Sequence, residues 1–303
     1  MRLDLDTLMP GLVRLRQLDR SHLMGDMTAG LLVAALAIPQ ALGYAVVAGV
    51  PVQVGLYSIP PALFAYALFG SSRVLFMGPV STVSVLSGTV VRGLAGGDSA
   101  KAIGLTAALA IIAGIVLIAI GLLRLGWVAQ FLSEPIVTGF VTGLVVIIVA
   151  GEIPALLGIP SPSGSLFEKL WAILLAVPKA QPMTLLVAAA ALLLLFGGSK
   201  VAPRMPWSLL AIVGGILASR LLDLPGRGIA VVGTVPVGLP VPTIPGISLG
   251  DLSNLVTGGF ALAAVGIAEG LAAAHTFAGK ESRGDLKDNA EFIANGVANV
   301  ASG

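Results

Sequence analysis

AGLLVAALAIPQALGYAVVAGVPVQVGLYSIPPALFAYALFGSSRVLFMGPVSTVS, residues Ala29 to Ser84, carries one charged side chain, Arg73. Its first two apolar runs, at about 26–48 and 53–70, each approach the ~20 residues that cross a hydrocarbon core as a helix. The third opens differently, with Gly78-Pro79 interrupting the apolar pattern and Ser81, Thr82 and Ser84 following at once. Proline suits the first position of a helix. A helix that starts at Pro79 partway through the membrane presents free N–H groups near Val80, Ser81 and Thr82, a positive dipole end suited to an anion. Half-helix N-termini at the midplane hold anionic groups in transporters. The alternative is a Pro-kinked continuous helix whose hydroxyls bond back to their own carbonyls.

The same reading extends along the chain. Of 303 residues, 56% are hydrophobic, 5% aromatic and 11% charged, against roughly 25% charged in a soluble domain. A balance dominated by Leu, Ala, Val and Ile suits packed transmembrane helices better than the alternating strands of a barrel. Further spans are expected at about 74–94, 101–123, 133–150, 182–197, 207–222 and 255–278, which makes eight. Phe167 to Val177 is about half a spanning length and is bounded by prolines, so it reads as a short interfacial helix. The stretch from Leu224 to Ile247 holds five prolines and several glycines and reads as an extended connection. The domains expected are a cytoplasmic lead-in at 1–24, a first transmembrane repeat at 25–223, a connection at 224–250, and from 251 to 303 the eighth span with a cytoplasmic loop after it.

Residues 1 to 24 lack the apolar core of a signal peptide. With that end inside, 11 of the 17 Lys and Arg fall on the cytoplasmic side, as the positive-inside rule requires. No basic tract points to nucleic acid. Cysteine is absent, which removes thiolate metal sites and cysteine nucleophiles, and no spacing of His22 or His275 suggests a metal ligand set. No phosphate loop, dinucleotide fingerprint or nucleophile elbow is present, so neither ATP drive, a cofactor nor an enzymatic activity is expected.

Sliding the eighth span onto the first aligns Ala34, Ala35, Ile38, Leu42 and Ala45 with Ala263, Ala264, Ile267, Leu271 and Ala274. Gln40 then falls on Glu269, as an inverted repeat would place them. An ionised carboxylate in mid-span costs at least a few kcal/mol unless paired, hydrated or protonated. Glu269 is therefore either a substrate or proton-coupling residue or a carboxyl that ties two helices together. Gln40 follows Pro39, with Tyr44 one turn on along the same face; the pair either lines a polar pocket or packs between helices. Asp285, Asp288 and Glu291, interleaved with Lys280, Arg283 and Lys287, read as a solvated cytoplasmic loop without chemistry.

The stretch from Ala29 to Ser84 resembles the signature region of the SulP, or sulfate permease, family. The shared pieces are Ile38-Pro39-Gln40, Tyr44-Ala45, Ala48-Gly49-Val50-Pro51, Gly55-Leu56-Tyr57, Phe69 to Arg73 and Gly78-Pro79. Val232-Gly233, Gly238-Leu239-Pro240, Glu269, Phe277-Ala278 and Asn289, Glu291, Ala294, Gly296 and Asn299 follow the family pattern in order. The resemblance implies an all-α membrane protein with the 7+7 inverted-repeat fold of uracil permeases, moving as an elevator. It implies Gln40 and Tyr44 as span-one lining, Val80 and Ser81 as the start of the span-three half-helix, and Glu269 as the span-eight acid. Sulfate is the family's default anion, with bicarbonate, chloride or a dicarboxylate as alternatives, in a plasma or inner membrane. Proton symport or anion exchange is expected, because sodium-coupled bicarbonate members carry a hydroxyl where this chain has Ala273. The chain stops at Gly303 inside a family motif, so the remainder of the second repeat and the usual STAS domain are expected beyond it. A homodimer is implied at full length, and the 303-residue piece alone is expected to insert without transporting. A nucleobase permease of the same fold and a non-transporting membrane fragment are the other readings.

Overall fold

The computed structural model describes residues 9–16, 21, 23–72, 75–126, 134–162, 165–202, 205, 207–231, 247–277 and 287–303. Most of the connection expected at 224–250 lies outside these, as do Asp285, the other charged residues at 280–283 and the side chain of His275. The described residues form eleven α-helices and no strand: α1 Pro10–Arg16, α2 Leu23–Ala48, α3 Val52–Phe69, α4 Ser81–Ala95, α5 Ser99–Leu122, α6 Glu134–Leu157, α7 Leu166–Ala176, α8 Pro182–Val201, α9 Trp207–Leu221, α10 Leu249–Phe277 and α11 Asp288–Ser302. Among the described residues, five segments are long and apolar enough to cross a membrane by length and composition: α2, α3, α5, α8 and Gly250–Gly270 of α10.

The chain divides into two compact units, 1–26 with 40–139 and 235–303, and 27–39 with 140–234. In the first, the core is built from the end of α2 (Ala45, Ala48), from α4 (Val91, Ala95), from α5 (Ala102, Leu105, Leu109, Ala113) and from α10 (Leu255, Leu262, Ala263). Few of these are large, so backbones approach closely, as membrane helices do where small residues meet. A Cβ on Gly55 of α3 would lie 2.2 Å from the Ala41 carbonyl oxygen of α2, and one on Gly88 of α4 would lie 2.7 Å from that of Val47. Asp98 caps α5 by accepting from the amides of Ala100 and Lys101 at 2.8 and 3.2 Å. Lys101 then pairs with Asp251 of α10 at 3.1 Å.

Two elements depart from the sequence expectations. The break expected before the third span is present, with residues 75–80 non-helical and α4 only 15 residues long, about 22 Å at 1.5 Å per residue; what differs is where the helix begins. The helix starts at Ser81 and not at Pro79, because Val80 is still extended (φ −118°, ψ 139°). The segment read as a solvated loop after the eighth span is, from Asp288 onward, the helix α11, and its Glu291 is 2% exposed. α11 packs on α5 and α3, with Ala294 and Ala298 against Ala65 and Tyr66.

In the second unit α7 is the short helix expected at 167–177. Ser165 and Glu168 form a capping box at its start, in which the Ser165 amide donates to the Glu168 carboxylate at 2.7 Å, and the Ser165 hydroxyl donates to the same carboxylate at 2.9 Å. Those two bonds, the amide's first, hold the Glu168 carboxyl below the usual carboxylate range. The box therefore contributes above the ordinary carboxylate pKa and is lost as pH falls through the lowered one. Ser165→Ala, which keeps the amide and removes the hydroxyl, should move the Glu168 titration part of the way back toward the ordinary value; an unmoved midpoint by NMR would mean that the hydroxyl does not hold this carboxylate in solution. α9 packs on α8, where the Trp207 indole lies over Gly198 and donates to the Ala202 carbonyl at 2.9 Å.

Candidate functional site

α4 begins without a side-chain cap. The first intrahelical bond after the break is Ser84 N–H to the Val80 carbonyl, 2.9 Å. The amides of Ser81, Thr82 and Val83 therefore lie among the four that a helix N-terminus leaves without an intrahelical partner. Gly78 and Pro79 explain the break: a residue before proline is pushed out of the α region, and proline supplies no donor. Ser81 is buried and Thr82 half-buried. Of the hydroxyls, Ser84 bonds back to the Val80 carbonyl at 2.8 Å, whereas Thr82 reaches across to α10 and donates to Oε1 of Glu269.

That bond joins an acidic side chain in an apolar helix to the first turn of the broken one. Glu269 is half-buried, and its Oε2 is buried with no hydrogen-bond partner. A carboxylate takes up to four donors and pays for those it lacks when removed from water. The position also places it near the positive end of the α4 dipole. Gly270 follows Glu269, and a Cβ there would meet Asn295 Oδ1 of α11 at 3.7 Å, so the Glu269 turn is flanked by α4 and α11.

The structure thus brings together Thr82 and Glu269, with Ser81 beside Thr82 in the first turn of α4. Gln40, exposed, and Tyr44, half-buried, lie one turn apart on α2. The C-terminal end of α2 is fastened to α4 by Arg92, whose Nη2 donates to the Val47 carbonyl at 2.9 Å while its Nε bonds to Gly88 within α4 at 3.0 Å. Thr82 was one of three hydroxyls in its run and nothing in the spacing singled it out. Among the described residues there is no group of three His, Cys, Asp or Glu that could hold a metal ion.

The sequence profile of the sulfate permease family matches residues 23–303. The chain belongs to that family. A protein described as a probable sulfate transporter of Mycobacterium tuberculosis is 34% identical over 294 residues, covering 97% of this chain and 52% of the relative. The chain thus spans about half the length of the curated relatives it matches. The transmembrane domain of a cyanobacterial bicarbonate transporter, BicA, superposes with a TM-score of 0.76 at 27% identity over 94% of this chain and 73% of that one. Murine solute carrier 26 family member A9, an anion transporter solved in an inward-facing state, gives a TM-score of 0.83 at 24% identity, with 97% and 52% covered. That second likeness speaks to the fold alone. The chain accordingly has the first seven-helix repeat and the start of the second repeat of the inverted-repeat fold, with a short extended segment before α4.

Proposed function

We propose that the protein is a secondary transporter of small anions, with sulfate as its substrate, and not an enzyme. In this reading it works as an elevator in the cell membrane with its N-terminus cytoplasmic, as a homodimer at full length, and couples anion movement to proton symport or to exchange. Its organisation follows the boundaries read from the sequence, with the first repeat at 25–223 and the second from 251. The observation that carries the reading is the bond between Thr82 and Glu269. It joins an uncapped helix N-terminus, suited to an anion, to an ionisable group that can hold or release a proton within an apolar helix. Val80 and Ser81 offer backbone donors, Gln40 and Tyr44 line the first span, and Glu269 is the proton-coupling residue. Bicarbonate is the second reading, favoured by the cyanobacterial neighbour.

The test is uptake of labelled sulfate and bicarbonate into proteoliposomes of the full-length protein, with and without an imposed proton gradient. Gradient-driven accumulation of sulfate is expected, with bicarbonate competing weakly; sulfate that stays outside would refute the substrate assignment. A companion pair, Thr82→Val and Thr82→Ser, separates the hydroxyl from the side-chain volume. Thr82→Val should reduce gradient-driven uptake several-fold, roughly the 1 kcal/mol of one hydrogen bond, and Thr82→Ser should restore it. Equal uptake by the two variants would detach Thr82 from the coupling.

A further inference from the structure

The turn at Gly70 to Ser72, between α3 and the extended lead-in to α4, is held from two sides by opposite charges. On one side Oε1 of Glu291 accepts from the Ser71 amide at 2.6 Å, the Ser71 hydroxyl at 2.6 Å and the Ser72 amide at 2.8 Å. Oε2 of the same carboxylate accepts from the Tyr66 hydroxyl at 2.7 Å. On the other side the Arg14 guanidinium donates to the carbonyls of Gly70, Ser71 and Ser72. The N–H groups of Ser71 and Ser72 thus face an anion, and the carbonyls of Gly70, Ser71 and Ser72 face a cation. Each charge is compensated by peptide dipoles that the other polarises in the same sense. Ser71 and Glu291 are each 2% exposed, so the carboxylate is a satisfied buried charge and not a surface one.

This clamp lies eight residues upstream of Val80, the cap of α4. Of the lead-in between them, residues 75–79 are non-helical. Its Leu75 and Met77 pack on the cluster formed by Tyr66 of α3 with Ala294 and Ala298 of α11. The far end of α4 is held through Arg92 and the packing of Val91 and Ala95, and its first turn meets α10 through Thr82 and the core through Val83, so the lead-in supplies the restraint on that turn from the side of α3 and α11. We propose that Glu291 and Arg14 are positioning residues that fix where the first turn of α4 stands, and through it the geometry of the anion site. The inference rests on the reading that this turn faces the anion.

The consequence is specific. Glu291→Ala strips three donors of the turn of their acceptor. Glu291→Gln leaves a carbonyl oxygen for them and turns an amide toward the Tyr66 oxygen, which can accept. Tyr66→Phe removes one bond to the carboxylate and leaves the turn held. A displaced first turn should weaken anion binding more than it slows turnover, and an ångström of misplacement can cost up to about 100-fold. In proteoliposomes of the full-length protein, Glu291→Ala and Arg14→Ala should therefore raise the KM for sulfate roughly tenfold or more with a smaller change in maximal rate. Glu291→Gln and Tyr66→Phe should remain close to the parent.

Amide hydrogen exchange on the same samples supplies a readout independent of transport. Exchange in Glu291→Ala should accelerate in peptides covering 70–82 while those of α5 and α10 stay protected. Acceleration spread over the whole chain would make Glu291 a residue of global stability and overturn the proposal. Local acceleration with an unchanged KM would overturn it too, by showing that the lead-in does not set the site. If the parent protein itself moves neither sulfate nor bicarbonate, the transport reading falls, and local exchange would still establish the clamp itself.

Discussion

Glu269→Gln is expected to abolish gradient-driven anion uptake by the full-length protein while leaving the fold intact. The side chain sits in α10 with one oxygen bonded to Thr82 and the other buried without a partner. Gln has nearly the same volume and keeps an oxygen for Thr82, so packing changes little. What it loses is the ability to exchange a proton. If coupling runs through that proton, accumulation against a gradient should fall at least tenfold, about 1.4 kcal/mol or more. Exchange of anion for anion at equal concentrations should suffer less. Parent and variant should unfold at the same temperature in detergent, which separates lost coupling from lost folding. Undiminished, still pH-dependent accumulation in Glu269→Gln would remove this carboxyl from the mechanism and leave it a helix–helix tie.

How far the sequence carries depends on which interaction dominates at each place. The break before α4 is legible because Gly78-Pro79 acts locally: proline removes a donor and constrains its neighbour whatever surrounds it. The shift of the helix start to Ser81 is not legible, since Val80 is held extended in a lead-in packed by Leu75 and Met77. Glu269 stands out because an ionisable group in an apolar run is costly anywhere in it. Its partner does not, because Ser81, Thr82 and Ser84 are chemically alike and only the docking of α10 decides which one meets it. Glu291 was misread for the converse reason. It follows a stretch dense in charge, so composition suggests water, yet α11 is buried by packing against α5 and α3. The signal that could have found it is the spacing Glu291, Asn295, Asn299, one polar stripe four residues apart. There Asn295 donates to the Glu291 carbonyl at 2.8 Å and Asn299 to that of Asn295 at 2.9 Å.

Gly296→Ala should be among the most destabilising single-methyl changes in the first unit, because α11 and α5 touch there backbone to backbone. A Cβ on Gly296 would lie 2.6 Å from the Gly114 carbonyl oxygen and 2.8 Å from the Ile118 amide nitrogen. One on Gly114 would lie 2.6 Å from the Gly296 carbonyl oxygen and 2.9 Å from the Val300 amide nitrogen. Neither obstacle is the end of a flexible side chain, so the helices must separate. Their separation loosens Ala294 and Ala298, both fully buried, together with Phe292. Overpacking of this kind costs about 1–3 kcal/mol, against a helix-propensity gain of up to about 1 kcal/mol for Gly→Ala. Gly93 of α4, which has open space around it, isolates that gain. Gly93→Ala should hold or raise the unfolding temperature in detergent, and Gly296→Ala and Gly114→Ala should each lower it. The double variant should lose less than the sum of the two, because one widening of the gap accommodates both methyls. A Gly296→Ala protein that unfolds with its parent would mean that α11 and α5 do not approach this closely in the membrane. The burial of Glu291 on the same helix would then lose its footing.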